Sequence, residues 1–194
     1  MKPLLPVLAV ALLACDSAAV AEEFKSGLQV GENCGCLQVE WVVGWPYKDQ
    51  FSGKFGPGCM TCTLAPASLV AIIFIQKVDD NVANLVRAMD PKVTGWLSNE
   101  GPKAFVCAVG KLGHDDLKPL DEVSTNVALT VAARGREWQK NLDKYKLNDA
   151  AAVTVIVYGQ QSKVVANFAF RDTKDLDKER VAEIVKVLRP EPAK

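Results

Sequence analysis

Two closely spaced cysteine doublets, Cys34-Gly35-Cys36 and Cys59-Met60-Thr61-Cys62, are the residues of this chain best suited to chemistry. Outside a reducing cytosol, thiols at such spacings close into disulfides, cycle as a redox couple or hold a soft metal. A CxxC closes a small ring whose reduction potential follows the local field, so Cys59 and Cys62 form the candidate catalytic pair, with Cys59 expected to attack. Bridges between the doublets would instead pin the segment that separates them. Closing loops of about 25 residues in this way contributes roughly 3 kcal/mol each on the chain-entropy model, and four cysteines allow three connectivities. A third reading is a four-thiolate zinc or copper site on Cys34, Cys36, Cys59 and Cys62, although zinc knuckles more often pair two CxxC turns. No other cofactor is expected.

The remaining reactive groups read as structural. Cys107 lies inside an apolar run and behaves as a small buried hydrophobe. His114, the sole histidine, sits in Gly113-His114-Asp115-Asp116 with no nucleophile nearby in sequence, as a solvated turn residue does. Asp79-Asp80 and Asp115-Asp116 stand where helices begin and suit the positive end of a helix dipole. Trp45-Pro46-Tyr47 could line a cleft.

The elements that hold these residues start after an export signal. Lys2 precedes the apolar run Leu4 to Ala14, and Ala19-Val20-Ala21 offers an A-x-A cleavage site, so residues 1–21 read as a signal peptide. The run is too short to span a bilayer of roughly 30 Å. An alternative is a lipobox, Leu12-Leu13-Ala14-Cys15, which would leave a lipid anchor on Cys15. A secreted or periplasmic protein follows in the first case and a lipoprotein in the second. The chain carries 23 basic and 23 acidic residues, so net charge gives no reason to expect nucleic acid or an anionic membrane as partner. Residues 22–36 read as an N-terminal segment and 37–190 as one domain.

Within that domain, Leu37 to Gly44 alternates as a half-buried strand, and Trp45 to Ala67 reads as a long loop. Ser68 to Ile75 is a continuous apolar run, expected as a central strand covered on both faces. Asp79 or Asp80 caps a helix on which Val82, Leu85, Val86 and Met89 share a face. Further strands are expected at Ala104 to Val109 and Asn126 to Ala132, with a short helical piece near Asp115 to Glu122. A helix over Glu137 to Leu147 would align Trp138, Leu142 and Tyr145. Val153 to Tyr158 and Val164 to Phe170 form a hairpin, and Asp177 to Leu188 closes the chain as a helix. This order gives an α/β sandwich, a central mixed sheet with helices on both faces.

In that order, with Leu28-Gln29-Val30-Gly31 before the first strand, Val42-Val43-Gly44 at its end and Val153-Thr154-Val155-Ile156-Val157-Tyr158 in the hairpin, the chain resembles the thioredoxin-like superfamily. The resemblance is to secreted bacterial redoxin-type domains and runs from about Leu28 to Leu188. It implies a three-layer thioredoxin-like sandwich, thiol–disulfide oxidoreductase activity, and protein thiols or disulfides as partners. The chain departs from the pattern in two places. The working cysteine of such proteins follows the central strand, yet Gln76-Lys77-Val78-Asp79-Asp80-Asn81 holds none. The proline expected before the hairpin is missing from Ala150 to Val153. The displaced CxxC precedes the central strand by about seven residues and is expected at the end where that strand begins. A non-catalytic member of the fold, stapled by structural disulfides, is the alternative.

Overall fold

The computed structural model describes residues 24–42, 58–94 and 101–188. The proposed signal with Cys15, the Trp45-Pro46-Tyr47 segment and the C-terminal tail lie outside the described residues, as does the side chain of Trp138.

Seven strands form one mixed sheet: β1 (Gln38–Trp41), β2 (Gly58–Cys59), β3 (Leu69–Ile75), β4 (Lys103–Ala108), β5 (Ala128–Ala132), β6 (Val153–Gly159) and β7 (Val164–Phe170). Their order is β2-β1-β5-β4-β3-β6-β7. β3, β4 and β5 run parallel, whereas β6 and β7 on one side and β1 and β2 on the other are antiparallel to their neighbours. Parallel neighbours need a crossover, and the helices between these strands supply it.

The apolar run of β3 behaves as expected of a strand covered twice. Ala71, Ile73 and Ile75 join one core, while Val70, Ile72 and Phe74 join another on the opposite face. The first core is capped by Val82, Leu85, Val86 and Met89 of α2 (Asp80–Met89) and by Ile184 of α5 (Lys178–Val187). The second takes in Met60 of the one-turn helix α1 (Met60–Thr63), Leu64, Leu37, Val39 and Tyr145. This layering is the expected three-layer sandwich with a closing hairpin and helix.

Three local details differ from the sequence reading. The stretch predicted as loop contains β2 and α1, elements too short to show a period. The short helical piece divides into a 3-10 turn, Asp115–Leu117, and α3 (Lys118–Asp121). The helix expected to reach Leu147 is α4 (Arg136–Asp143) and stops earlier. Lys146 adopts a left-handed φ of 56°, and its carbonyl accepts from Gly27 N–H at 3.0 Å, which turns the chain out of the helix.

The segment Ser26 to Cys34 is strapped to the second face. Ser26 Oγ and Thr154 Oγ1 are 2.7 Å apart, and Asn167 Nδ2 donates to the carbonyls of Ser26 and Leu28. Val164 N–H donates to Glu32 O at 2.9 Å, and Cys34 N–H to Ser162 O at 2.7 Å. The strap therefore ends beside the β6–β7 turn, two residues before Cys36.

Asp90 anchors the other end of the molecule. Its carboxylate accepts from Thr125 N–H at 2.8 Å, Asn126 N–H at 2.6 Å and Ser124 Oγ at 3.0 Å, fixing the loop that enters β5. Burial pulls its pKa upward, but these donors outweigh it and hold the carboxyl below the usual aspartate value of 3.8. A depressed folded-state pKa contributes stability above the unfolded pKa and loses it as pH falls through the folded value. Asp90→Ala is therefore expected to cost about 2–4 kcal/mol at neutral pH. In urea melts the gap to wild type should narrow below about pH 4, as the wild-type carboxyl protonates. A gap that stays constant into acid would show that the carboxylate charge contributes nothing.

Candidate functional site

The thiol site is built where β1 meets β2. Gln38 pairs with Cys59 and Val39 with Gly58, and Met60 N–H donates to Leu37 O at 2.8 Å. On its other side β1 pairs with β5, Val39 facing Ala132, and Ala133 N–H donates to Gln38 O at 3.1 Å. Cys59 therefore belongs to the end of the sheet where β5 finishes, at the β2 edge. The expectation that the CxxC lies at the end where β3 begins is overturned. Residues 64–68 carry the chain back under the sheet, burying Leu64 and Ala67, before β3 starts.

Cys59 caps α1, its Sγ accepting from Cys62 N–H at 3.3 Å, and Cys59 and Cys62 form a disulfide with Cα atoms 5.4 Å apart. The bridge thus lies within the second doublet, and the expected bridges between doublets do not form. The first doublet is split between two environments. Cys34, held by its bond to Ser162, points into the second core at 8% exposure, and burial pushes its thiol pKa up to about 12. Cys36 is half-buried and free, with its Sγ 3.8 Å from Cys62 Sγ. The sulfurs of Cys36, Cys59 and Cys62 all lie within 4.8 Å of one another. Cys34 does not join this cluster, so the four-thiolate set read from the sequence is not assembled.

Several residues that the sequence reading did not single out make this arrangement. Thr61, buried between the two cysteines, donates from Oγ1 to Gly35 O at 2.9 Å and accepts from Leu37 N–H at 3.3 Å. Tyr145 Oη also donates to Gly35 O, at 2.7 Å, while its ring packs on Phe74 with centroids 5.3 Å apart. Gln38 Nε2 donates to Cys36 Sγ at 3.1 Å, and Gln38 Oε1 accepts from Asn141 Nδ2 of α4 at 2.7 Å. A polar residue facing the doublet in an alternating strand, and a Thr inside the CxxC, were the signals available in the sequence.

Cys59 is half-buried and Cys62 exposed. Cys62, and not the Cys59 expected to attack, is therefore the more accessible of the pair, because the Cys59 side chain turns inward to cap α1. Cys107 is fully buried, and burial pushes its pKa to about 12 against the Thr130 hydroxyl. His114 lies 3.7 Å from Glu40 in a surface pair, outside the thiol cluster.

The turn after β3 is committed to another task. Asp79 Oδ1 accepts from Asn81 and Val82 N–H at 3.1 and 3.2 Å, capping α2, and Oδ2 accepts from Thr173 Oγ1 at 2.5 Å. Burial raises the Asp79 pKa, but the Thr173 and Lys77 contacts outweigh it and hold the carboxyl low. A carboxylate thus fills the helix N-terminus where the resemblance would put a thiolate. Nearby, a cavity of about 450 Å³ opens at the ends of β3, β4 and β5, lined among others by Gln76, Val109, Gly110, Arg134 and Leu142. Helix α4 contributes to its wall and, through Asn141, to the Gln38–Cys36 contact.

Strand order, crossovers and layers define a thioredoxin-like α/β fold, and comparison with solved structures agrees. The thioredoxin domain of a thiol-disulfide oxidoreductase from Bacteroides vulgatus superposes with a TM-score of 0.53 at 11% identity, covering 84% of this chain and 99% of that one. A thiol:disulfide interchange protein from Bacteroides sp. gives 0.51 at 12% identity, covering 83% and 91%. A peroxiredoxin-like protein from Aquifex aeolicus gives 0.51 at 14% identity, covering 85% and 90%. The sequence matches no protein-family model and none of the curated proteins.

Proposed function

We propose that this protein is an exported thiol–disulfide exchange protein whose working bond is Cys59–Cys62. The observation that carries this reading is a disulfide at the β2 edge of the sheet whose second cysteine, Cys62, is exposed. The apolar run ahead of Ala19-Val20-Ala21 supports export, because a disulfide persists in an oxidising compartment. Among the described residues no helix is long and apolar enough to cross a membrane.

The expected substrates are protein dithiols and disulfides, the chemistry named for the interchange proteins of the same fold. A target thiolate attacks the exposed Cys62 sulfur. The Cys59–Cys62 bond breaks, and its electrons leave on Cys59, where the Cys62 N–H stands ready to solvate the new thiolate. The target's second thiolate then attacks its own sulfur in the mixed disulfide and releases Cys62. The target is oxidised, the protein pair is reduced, and the two target protons end on Cys59 and Cys62. The reverse sequence reduces a target disulfide. An assay of dithiol oxidation and insulin reduction tests this reading, and rates in wild type equal to those of a Cys62→Ser variant would overturn it.

The cluster of three sulfurs supports a second reading, a soft-metal site in the reduced protein. Thiolate-only donors select zinc or copper(I), and this set is one short of the four that close a structural zinc site. Under this reading, reduced protein titrated with zinc against a chromophoric chelator takes up one metal per chain, and Cys36→Ser loses that uptake. Equal zinc affinity in the two proteins would exclude the three-sulfur site.

A further inference from the structure

We propose that Cys36 is a third working thiol, which exchanges with the Cys59–Cys62 disulfide and moves the bond to Cys36–Cys62. This rests on the reading of Cys59–Cys62 as an exchangeable bond and adds a step inside the protein. The Cys36 thiolate attacks Cys62 Sγ, the Cys59–Cys62 bond breaks, and Cys59 leaves as thiolate. The Cys36 proton passes to Cys59, and no outside oxidant or reductant is consumed.

Geometry selects Cys36 and Cys62 for this step. Cys36 is free and half-buried, and its sulfur stands 3.8 Å from the sulfur it would attack. Cys34, two residues away, is sequestered in the core, and burial keeps its thiol protonated. The approach of Cys36 is enforced by two donors on one carbonyl. Thr61 Oγ1 and Tyr145 Oη both bond Gly35 O, so the residue before Cys36 is tied to the middle of the CxxC turn and to the core. Attack on a disulfide proceeds along the axis of the breaking bond, and the three sulfurs form a compact triangle. The Cys36 side chain must therefore swing about χ1 to align. The side-chain contacts that hold its sulfur in the present position are those to Gln38 and Cys62.

This step gives the site two oxidised forms. In one, Cys59 is bonded and Cys36 is free. In the other, Cys36 is bonded and Cys59 is free as a capping thiol of α1. A target that forms a mixed disulfide on Cys62 can then be released by Cys36 as well as by Cys59, so a slow target thiol does not trap the complex.

The test is Cys59→Ser, reduced, freed of metal with chelator and treated with about 1 mM glutathione disulfide. Serine keeps an oxygen to accept the Cys62 N–H. Mass spectrometry after alkylation and digestion is expected to find a Cys36–Cys62 bridge in a monomer. The glutathione adduct on Cys62 should stay below about a tenth of the protein, because a tethered thiol acts at an effective concentration above that of the free one. A stable adduct on Cys62 with Cys36 alkylated would overturn the proposal. Wild type provides a check independent of that variant. Oxidised wild type quenched with N-ethylmaleimide should carry label on Cys59 in a fraction of molecules, and label confined to Cys36 would likewise overturn it. The two readings fail separately. If wild type does not exchange with an external dithiol, the proposed function falls, whereas if it exchanges but Cys59→Ser does not close, only the third thiol falls.

Discussion

Replacing Cys62 by serine is expected to cut exchange with a dithiol substrate at least about a hundredfold, to the uncatalysed background, whereas Cys59→Ser retains a measurable share. The asymmetry follows from position. Cys62 is the exposed member of the cluster and the common partner of both neighbouring thiols, so its loss leaves only half-buried thiols at the edge, neither of them open to a target. Without Cys59, the Cys36 sulfur at 3.8 Å can still resolve the complex on Cys62. The comparison is a quenched-alkylation time course on wild type, Cys36→Ser, Cys59→Ser, Cys62→Ser and the Cys36→Ser/Cys59→Ser double variant. Cys36→Ser should run close to wild type because the Cys59–Cys62 pair is intact. The double variant should match Cys62→Ser, a non-additive result expected of residues that act as a unit. Equal losses in Cys59→Ser and Cys62→Ser would mean that Cys36 cannot stand in for Cys59. Rates unchanged in Cys62→Ser would remove the thiols from the chemistry altogether.

The same positions explain what could be read from the sequence. The run Leu69 to Ile75, the Asp79 cap with Val82, Leu85, Val86 and Met89 behind it, and the hairpin Val153 to Phe170 each carry a period or a cap, so their types and approximate limits were legible. The thiol site rests on features without a period. β2 has two residues and α1 a single turn, and their register against β1 is set by tertiary contacts of Met60 and Thr61. Sequence distance from β3 suggested the wrong end of the sheet, because residues 64–68 travel back under it. The first doublet read as one unit of two thiols, yet its members separate. Ser162 holds the backbone at Cys34 and Thr61 holds the carbonyl at Gly35, partners distant in sequence that a CxC spacing does not encode. In the turn after β3, where the resemblance would put a cysteine, the structure places the Asp79 carboxylate. That helix N-terminus is satisfied by a side chain that also receives the Thr173 hydroxyl.

Tyr145 connects the stability of the second core to the geometry of the thiols, and substituting it should have the largest effect on folding. Its side chain is fully buried against Phe74, and burial drives the phenol pKa far up, so it stays a neutral donor to Gly35 O. Tyr145→Ala removes a buried aromatic ring and is expected to cost about 3–5 kcal/mol, seen as a lower urea midpoint with an unchanged slope. Tyr145→Phe keeps the ring and deletes the donor, at about 1 kcal/mol, because Thr61 still satisfies the Gly35 carbonyl. The phenylalanine variant separates packing from positioning. If the phenol helps hold the Cys36 segment over the CxxC turn, Cys36–Cys62 closure in a Cys59→Ser background slows several-fold in Tyr145→Phe while the fold persists. Restoring only the packing would not recover that rate. Closure as fast in Tyr145→Phe as in its parent would assign the placement of Cys36 to Thr61 alone, and Thr61→Val should then produce the loss instead.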